Sequence, residues 1–322
     1  MITGATGFVG GWTARALAER GHDLRFLVRN PDKLHRATTA LGIDGDVVVG
    51  DITDAATVRR ALDGCEAVVH TAAEVALQGA DEAAERALVE RNLEGARNVI
   101  GGATTAGAAS IVHVSSCVVL WPPGSTVLRD PRAPLEESVG VYGHAKTAVE
   151  RYVRGLQDGG APISITYPVG VIGPGIDGYV GEAGEGMHTL LRAGVVGRTA
   201  GLTLVDVRDL ADLHARLVEP GVAPRRVIAG GHRITGPRLA TALTEASGQR
   251  VRYWPIPNSV MIGVGKLADR YRDRVPDGLE QISDSAVRYL LHPPVPVNDA
   301  AEELGVSFRP VENSLASVFG RA

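Results

Sequence analysis

Apolar and polar residues follow two different periods along the first half of the chain. Short β-branched runs at Leu24–Val28, Asp46–Val49, Ala67–His70, Ile111–Ser115 and Ile163–Pro168 read as buried strands. Between them apolar positions recur every three to four residues. That spacing predicts helices over Phe8–Arg20, Ala55–Leu62, Asp81–Thr105 and Tyr142–Leu156. In the third of these, Val89, Leu93, Ala96 and Ile100 mark one buried face. Strands alternating with amphipathic helices predict an α/β fold with a doubly wound parallel sheet.

After Pro174 the pattern is less regular. Gly175–Gly186 reads as a glycine-rich loop, and Met187–Ala193 as a short helix. Arg208–Val218, with Asp206 or a neighbour as its cap, Leu239–Ala246, Val260–Tyr271 and Ser285–Leu291 also read as helices, and Arg226–Ala229 as a strand. The first strand is short, with Met1, Ile2 and Thr3 before Gly4, against a mean strand of about five to six residues. The natural start is therefore expected upstream of Met1.

Thr3 to Gly10 places glycines three apart where a strand gives way to a helix. Gly4 permits the tight turn, Gly7 lets backbone approach a pyrophosphate, and Gly10 lets helix pack on sheet. The helix N-terminus then faces the phosphate charge, which marks a Rossmann-type dinucleotide site. Residues 1–174 are read as the dinucleotide-binding domain. Residues 175–322 are read as mostly a smaller C-terminal substrate-binding lid, with about 202–231 returning to the sheet. Where an NAD site would offer an acid to the ribose, this chain has Arg29, followed one turn later by Lys33. A guanidinium suits a 2′-phosphate, so NADP(H) is expected in preference and NAD(H) is possible. The other reading of Arg29 is a solvated surface charge.

Composition narrows the partners. The 322 residues are 44% hydrophobic and 22% charged, with a formal net charge of −4 and no basic run, which argues against nucleic acid. Apolar stretches break well before the roughly 18 residues of a membrane span, and the glycine-rich turn leaves no room for a signal peptide. Cys65 and Cys117 stand far apart, without metal-site spacing. A cytoplasmic protein with a small-molecule substrate, and with no metal or membrane contact, is expected.

Tyr142 and Lys146 lie one helical turn apart. An ammonium beside a phenol favours the phenolate, whose unperturbed pKa of about 10 must fall by about two to three units to act near neutrality. With Ser116 upstream, the chain resembles an extended short-chain dehydrogenase/reductase over nearly its whole length. Thr3–Gly10, with Thr6, Phe8 and Val9, matches that family's turn. Asp51-Ile52 matches the pair that touches adenine, and Thr71-Ala72-Ala73 the segment under the cofactor. Asn92 matches a supporting helix asparagine, and Ser115-Ser116 the end of the strand that carries the serine. Tyr167-Pro168-Val169-Gly170-Val171 resembles the segment near the nicotinamide, with Tyr167 in place of the usual arginine. Val297-Asn298-Asp299-Ala300 resembles the closing motif.

The resemblance implies hydride transfer between a nicotinamide and a substrate carbon. Tyr142 acts as proton donor, Ser116 holds the substrate oxygen, Lys146 holds the ribose and depresses the Tyr142 pKa, and Asn92 orders a water or backbone contact behind Lys146. It also implies a homodimer through Asp81–Thr105 and Tyr142–Leu156. Among branches of the family, dihydroflavonol-reductase-like and hydroxysteroid-dehydrogenase-like members look most similar, which implies a carbonyl or secondary alcohol on a largely apolar molecule. Two alternatives stay open: a nucleotide-sugar epimerase or dehydratase with tightly bound NAD, and a non-catalytic NADP-binding sensor. His70 reads as a packed or hydrogen-bonded strand-end residue, His144 as surface or pocket lining, and Cys117 as a small apolar filler. Asp206 and Asp209 read as a helix-capping pair.

Overall fold

The computed structural model describes residues 1–74, 82–271 and 283–320. Strand β1 (Ile2–Thr3) leads through the glycine turn into helix α1 (Phe8–Ala18). Strand β2 (Arg25–Val28) leads into α2 (Pro31–Leu41), β3 (Asp46–Val49) into α3 (Ala55–Leu62), and β4 (Ala67–His70) toward α4 (Glu82–Ala96). A π-helical turn over Arg97–Gly101 and α5 (Gly102–Thr105) finish that long helix, whose predicted first residue, Asp81, falls outside the described residues. Strand β5 (Ser110–Val114), α6 (Gly140–Asp158) and β6 (Ile163–Pro168) complete this half.

The main sheet has seven strands in the order β10-β6-β5-β4-β1-β2-β3, where β10 is Arg226–Ala229, and every pairing is parallel. The chain builds outward from β1 through β2 and β3, then restarts on the other side with β4. The crevice above β1 and β4 is therefore the switch point where open α/β sheets take ligands. Fully buried Phe26, Val68, Ile111, Val112, Ile163 and Ile165 form the centre of this half. Each removes an apolar side chain from water, at about 1.5–3 kcal/mol apiece.

The second half begins with β7 (Gly170–Ile172), α7 (Gly181–Ala193), β8 (Val195–Val196), β9 (Gly201–Asp206) and α8 (Val207–Leu217). After β10 come β11 (His232–Thr235), α9 (Gly236–Ser247), β12 (Tyr253–Trp254), α10 (Asn258–Arg270), α11 (Asp284–Leu291), α12 (Asp299–Glu302) and α13 (Val311–Val318). Ile172, Met187, Leu204, Leu243, Leu291 and Leu315 gather into a separate lid core. Among the described residues, no helix is long and apolar enough to cross a membrane, and no group of His, Cys, Asp or Glu side chains is placed to hold a metal.

Strands β8, β11 and β12 and helices α12 and α13 were not in the pattern-based expectation, and three further departures have a clear physical reason. Helix α2 went unread because three buried residues, Leu34, Ala37 and Leu41, carry its apolar face; Asn30 caps it by accepting from Lys33 N at 2.9 Å. Helix α7 starts six residues before Met187, inside the expected glycine-rich loop. Its glycines serve close approach: a Cβ at Gly181 would stand 2.5 Å from Phe8 Cδ1, and one at Gly184 2.8 Å from Val180 Cγ2. Of the stretch expected to return to the sheet, Arg226–Ala229 does so beside β6. Gly201–Asp206 instead pairs with β7 and β11 in a separate three-stranded sheet, because β7 leaves the main sheet after Pro168 and offers β9 an edge.

Candidate active site

A cleft of 1830 Å³ runs over the carboxyl ends of the strands, between the sheet and the lid. Small-ligand pockets run to about 1,000 Å³, so this one has room for a dinucleotide and a substrate together. Gly4, Thr6, Gly7, Phe8, Val9 and Gly10 form its floor. Gly4 has φ +79°, and a Cβ there would stand 2.4 Å from Thr71 Oγ1 and 2.8 Å from Ala72 N. A Cβ at Gly10 would lie 2.2 Å from Gly4 O. Helix α1 opens at Gly7 with no side-chain cap and no acid in its first turn, which leaves its N–H groups for an anion. Thr71 Oγ1 donates to Thr3 O at 2.8 Å and holds the Thr71-Ala72-Ala73 wall against this turn. These residues fit a dinucleotide pyrophosphate.

At the far end of the floor stand Arg29, Asp51 and Ile52. Arg29 is exposed, and its guanidinium lies 3.8 Å from Asp51 Oδ2. Asp51 Oδ1 is fixed by Thr53 N and Thr53 Oγ1, each at 2.9 Å. Asn98 Nδ2 donates to Ile52 O and Thr53 O, both at 3.0 Å, a support the sequence reading did not include. Lys33, expected to help Arg29, is not part of the cleft lining. It lies one turn into α2, with its N–H committed to Asn30 and its side chain exposed to solvent.

The chemistry-bearing residues meet beside β5 and α6. Ser116, Tyr142 and Lys146 all line the cleft, and the Ser116 hydroxyl is near enough to the Tyr142 phenol to favour its ionised form. Ser116 Oγ also caps the turn over Cys117–Leu120 by accepting from Val118 N at 3.3 Å. Ser115, its neighbour on the cleft wall, has a buried hydroxyl that lacks a partner. Lys146 Nζ donates to Val114 O at 3.3 Å and sits 5.9 Å from the centre of the Tyr142 ring.

Contrary to expectation, Lys146 does not depress the Tyr142 pKa. Burial pushes the phenol up to about 12; the Ser116 hydroxyl works against this, while Cys117 and Glu182 reinforce it. Lys146 itself is lowered to about 8, chiefly by burial, with Glu150 and Glu182 pulling it back up. The site holds a protonated phenol beside an ammonium that titrates in the physiological range.

Behind α6 lies a buried network that the sequence did not announce. Glu150, fully buried one turn after Lys146, takes Arg154 Nε at 2.7 Å and Tyr167 O–H at 2.6 Å. Tyr167 was expected beside the cofactor. Its side chain points the other way, into this network, and has no surface on the cleft, whereas Pro168, Val169, Gly170 and Val171 do line it. Strand alternation explains the difference: successive side chains leave opposite faces of β6, and the pocket of Glu150 and Arg154 takes the phenol.

Asn92 lines the cleft, but its amide is committed to backbone. Its Oδ1 accepts from Glu74 N at 2.9 Å, and Nδ2 donates to Glu74 O at 3.0 Å and Leu88 O at 2.9 Å. It fastens the wall segment to α4. His144 pairs with Glu85 at 2.5 Å on the exposed side of α6. Burial raises the Cys117 thiol to about 11, so it is no nucleophile.

The substrate end was largely invisible in the sequence. Trp121 and Tyr289 meet edge to face with ring centres 5.2 Å apart, and Tyr289 Oη lies 3.8 Å from Cys117 Sγ. Met187, Leu190, Met261 and Val264 extend this apolar wall from the lid. Glu182 and Glu185 on α7 border it, and Arg288, the guanidinium that α11 adds to the wall, is paired with Asp284 at 2.8 Å.

The family model described as NAD dependent epimerase/dehydratase matches residues 1–230. The chain belongs to that family. It is thereby a member of the extended short-chain dehydrogenase/reductase superfamily, whose enzymes depend on NAD(P). A putative dihydroflavonol 4-reductase of Synechocystis is 33% identical over 66% of this chain and 61% of its own length. The sterol demethylase protein B of Methylococcus capsulatus is 28% identical over 84% of this chain and 80% of its own. A 3 beta-hydroxysteroid dehydrogenase/Delta 5-->4-isomerase of Mycobacterium tuberculosis is 30% identical over 79% and 70%. The crystal structure of gox2253 has a TM-score of 0.78 at 26% identity, covering 99% of this chain and 96% of that one. A UDP-glucose 4-epimerase from Bifidobacterium longum, in complex with NAD+ and UDP, shares the fold with a TM-score of 0.75 at 18% identity, covering 99% and 96%.

Proposed function

We propose that the protein is an NADP(H)-dependent oxidoreductase that interconverts a carbonyl and a secondary alcohol on a small, largely apolar substrate. The observation that carries this reading is the junction of the Ser116–Tyr142–Lys146 group with the apolar wall of Trp121, Tyr289, Met187 and Met261. A nicotinamide dinucleotide, its pyrophosphate held by the glycine cradle, would supply the hydride chemistry. Tyr142, kept protonated, gives its proton to the substrate oxygen as that oxygen gains charge. The Ser116 hydroxyl turns from the phenol toward the same oxygen and stabilises it. Lys146, 5.9 Å from the centre of the Tyr142 ring, is the group that would hold the nicotinamide ribose.

Arg29, exposed at the end of β2 and facing the cleft, supports NADP(H). Glu182 and Glu185 with the already paired Arg288 disfavour a diphosphate-bearing substrate, because among the described residues the lid wall presents negative charge there. The same reading carries a homodimer through the outer faces of α4 and α6 and a cytoplasmic setting. A monomeric mass at micromolar concentration would count against the dimer.

The decisive experiment is a panel of apolar ketones and aldehydes assayed by loss of NADPH absorbance, alongside denaturation of the purified protein to look for released NAD. Turnover of at least one carbonyl supports the reading. An inert panel with stoichiometric NAD released would sink it in favour of an epimerase.

A further inference from the structure

We propose that His113 is a positioning residue for Lys146: its imidazole anchors an internal water that bridges to the Lys146 ammonium. The inference rests on the reaction proposed above. Strands β4 and β5 pair with His70 opposite His113, so two imidazoles stand side by side on the sheet face that α6 covers. Their rings stack with centres 5.7 Å apart and planes 22° from parallel. His70 is committed, its Nδ1 lying 2.8 Å from Thr3 Oγ1. His113 is 3% exposed, and among the described residues neither of its nitrogens has a partner. A buried polar group left bare costs about 1–3 kcal/mol, so a partner is called for.

The space for one is present. A cavity of about 10 Å³ lies between the histidine pair and the catalytic helix, bordered by His70, His113, Asn92, Tyr142 and Lys146. That is about the volume one water requires. Asn92 spends its amide on Glu74 and Leu88, and His70 has Nδ1 committed to Thr3, whereas both nitrogens of His113 are left to accept on this side. An ammonium has three donors, and Val114 O takes one of those on Lys146. The water accepts from Lys146 and donates to His113.

The titratable and charged groups around the cavity come from every neighbouring element: His70 on β4, Glu74 after it, Cys117 after β5, Tyr142 and Glu150 on α6, and Glu182 on α7. Burial keeps both imidazoles neutral, and a neutral ring offers the acceptor that an imidazolium would lack. The bridge thus favours the charged form of Lys146 and fixes it under the Tyr142 ring.

The test compares His113→Phe, which fills the site without an acceptor, with His113→Gln, which keeps one. The expected result for His113→Phe is a fall in kcat of about tenfold and an alkaline limb of the kcat–pH profile about one unit lower, one unit being tenfold in the lysine equilibrium. His113→Gln should stay near wild type in both. A high-resolution crystal structure of the wild type should show a water within hydrogen-bonding distance of a His113 nitrogen and Lys146 Nζ. An unchanged profile in His113→Phe, equal impairment in both variants, or a crystal structure with no such water would each overturn the inference. A wild type inert toward every carbonyl would instead sink the reaction itself, and the crystal structure would still decide the bridge.

Discussion

The sheet half and the lid half of this cleft are built on different principles. In the sheet half each functional group sits at a strand end or one turn into the following helix, and parallel pairing sets its position. His70 and His113 are brought together by register alone. In the lid half the groups that line the cleft come from α7, α10 and α11, which pack by side-chain fit around a core of their own. Register fixes position along a strand to within one residue, because a slip would turn every side chain to the other face. Helix packing carries no such constraint, so the lid can change its lining without disturbing the chemistry below.

That contrast can be broken or sharpened by substitution. The largest effect is expected at Tyr142→Phe, which removes the proton donor: turnover should fall by about 10²–10⁴-fold with NADPH affinity nearly intact, measured by steady-state kinetics and fluorescence titration. Retained activity would show that the strand-end chemistry is misassigned. Next comes Glu150→Gln. Arg154 would be left in the core without its carboxylate, and a denaturant midpoint should report a loss of about 3–5 kcal/mol. A loss near zero would mean that the network behind α6 does not support the catalytic helix.

Arg29→Ala should weaken NADPH binding by about 10–100-fold, in line with about 1.5–3 kcal/mol for a charged hydrogen bond, and leave NADH unchanged. Equal affinity for the two cofactors in the wild type would reject the NADP(H) preference. The mildest change is expected in the substrate wall. Trp121→Ala should raise KM for bulky ketones by about 10-fold, within the 1–3 kcal/mol typical of apolar pocket contacts, while kcat stays close to wild type. A collapse of kcat instead would show that the Trp121–Tyr289 contact reaches into the chemistry.

Much of the sheet half was legible because its signals are local. Thr3–Gly10 states a backbone requirement that the structure shows as near-collisions at Gly4 and Gly10. Tyr142 and Lys146 declare their shared face by helical spacing, and Ser116 was reached through the family resemblance of its strand end. What failed there failed for a stated reason. Tyr167 occupies a strand position whose face the sequence does not reveal, and it turned toward Glu150 rather than the cofactor. Helix α7 was hidden because its glycines lower helix propensity while serving contacts with Phe8 and Val180.

By itself, then, the sequence determined the α/β alternation and the glycine turn, since each depends on residues close together in the chain, and it offered the serine, tyrosine and lysine as candidates. Only the tertiary structure decided the electrostatics. Burial and neighbours brought from other elements hold Tyr142 protonated, bring Lys146 down to about 8 and leave His113 facing a cavity without a partner. Desolvation and long-range contact are properties of the packed molecule, and no local pattern of residues encodes them.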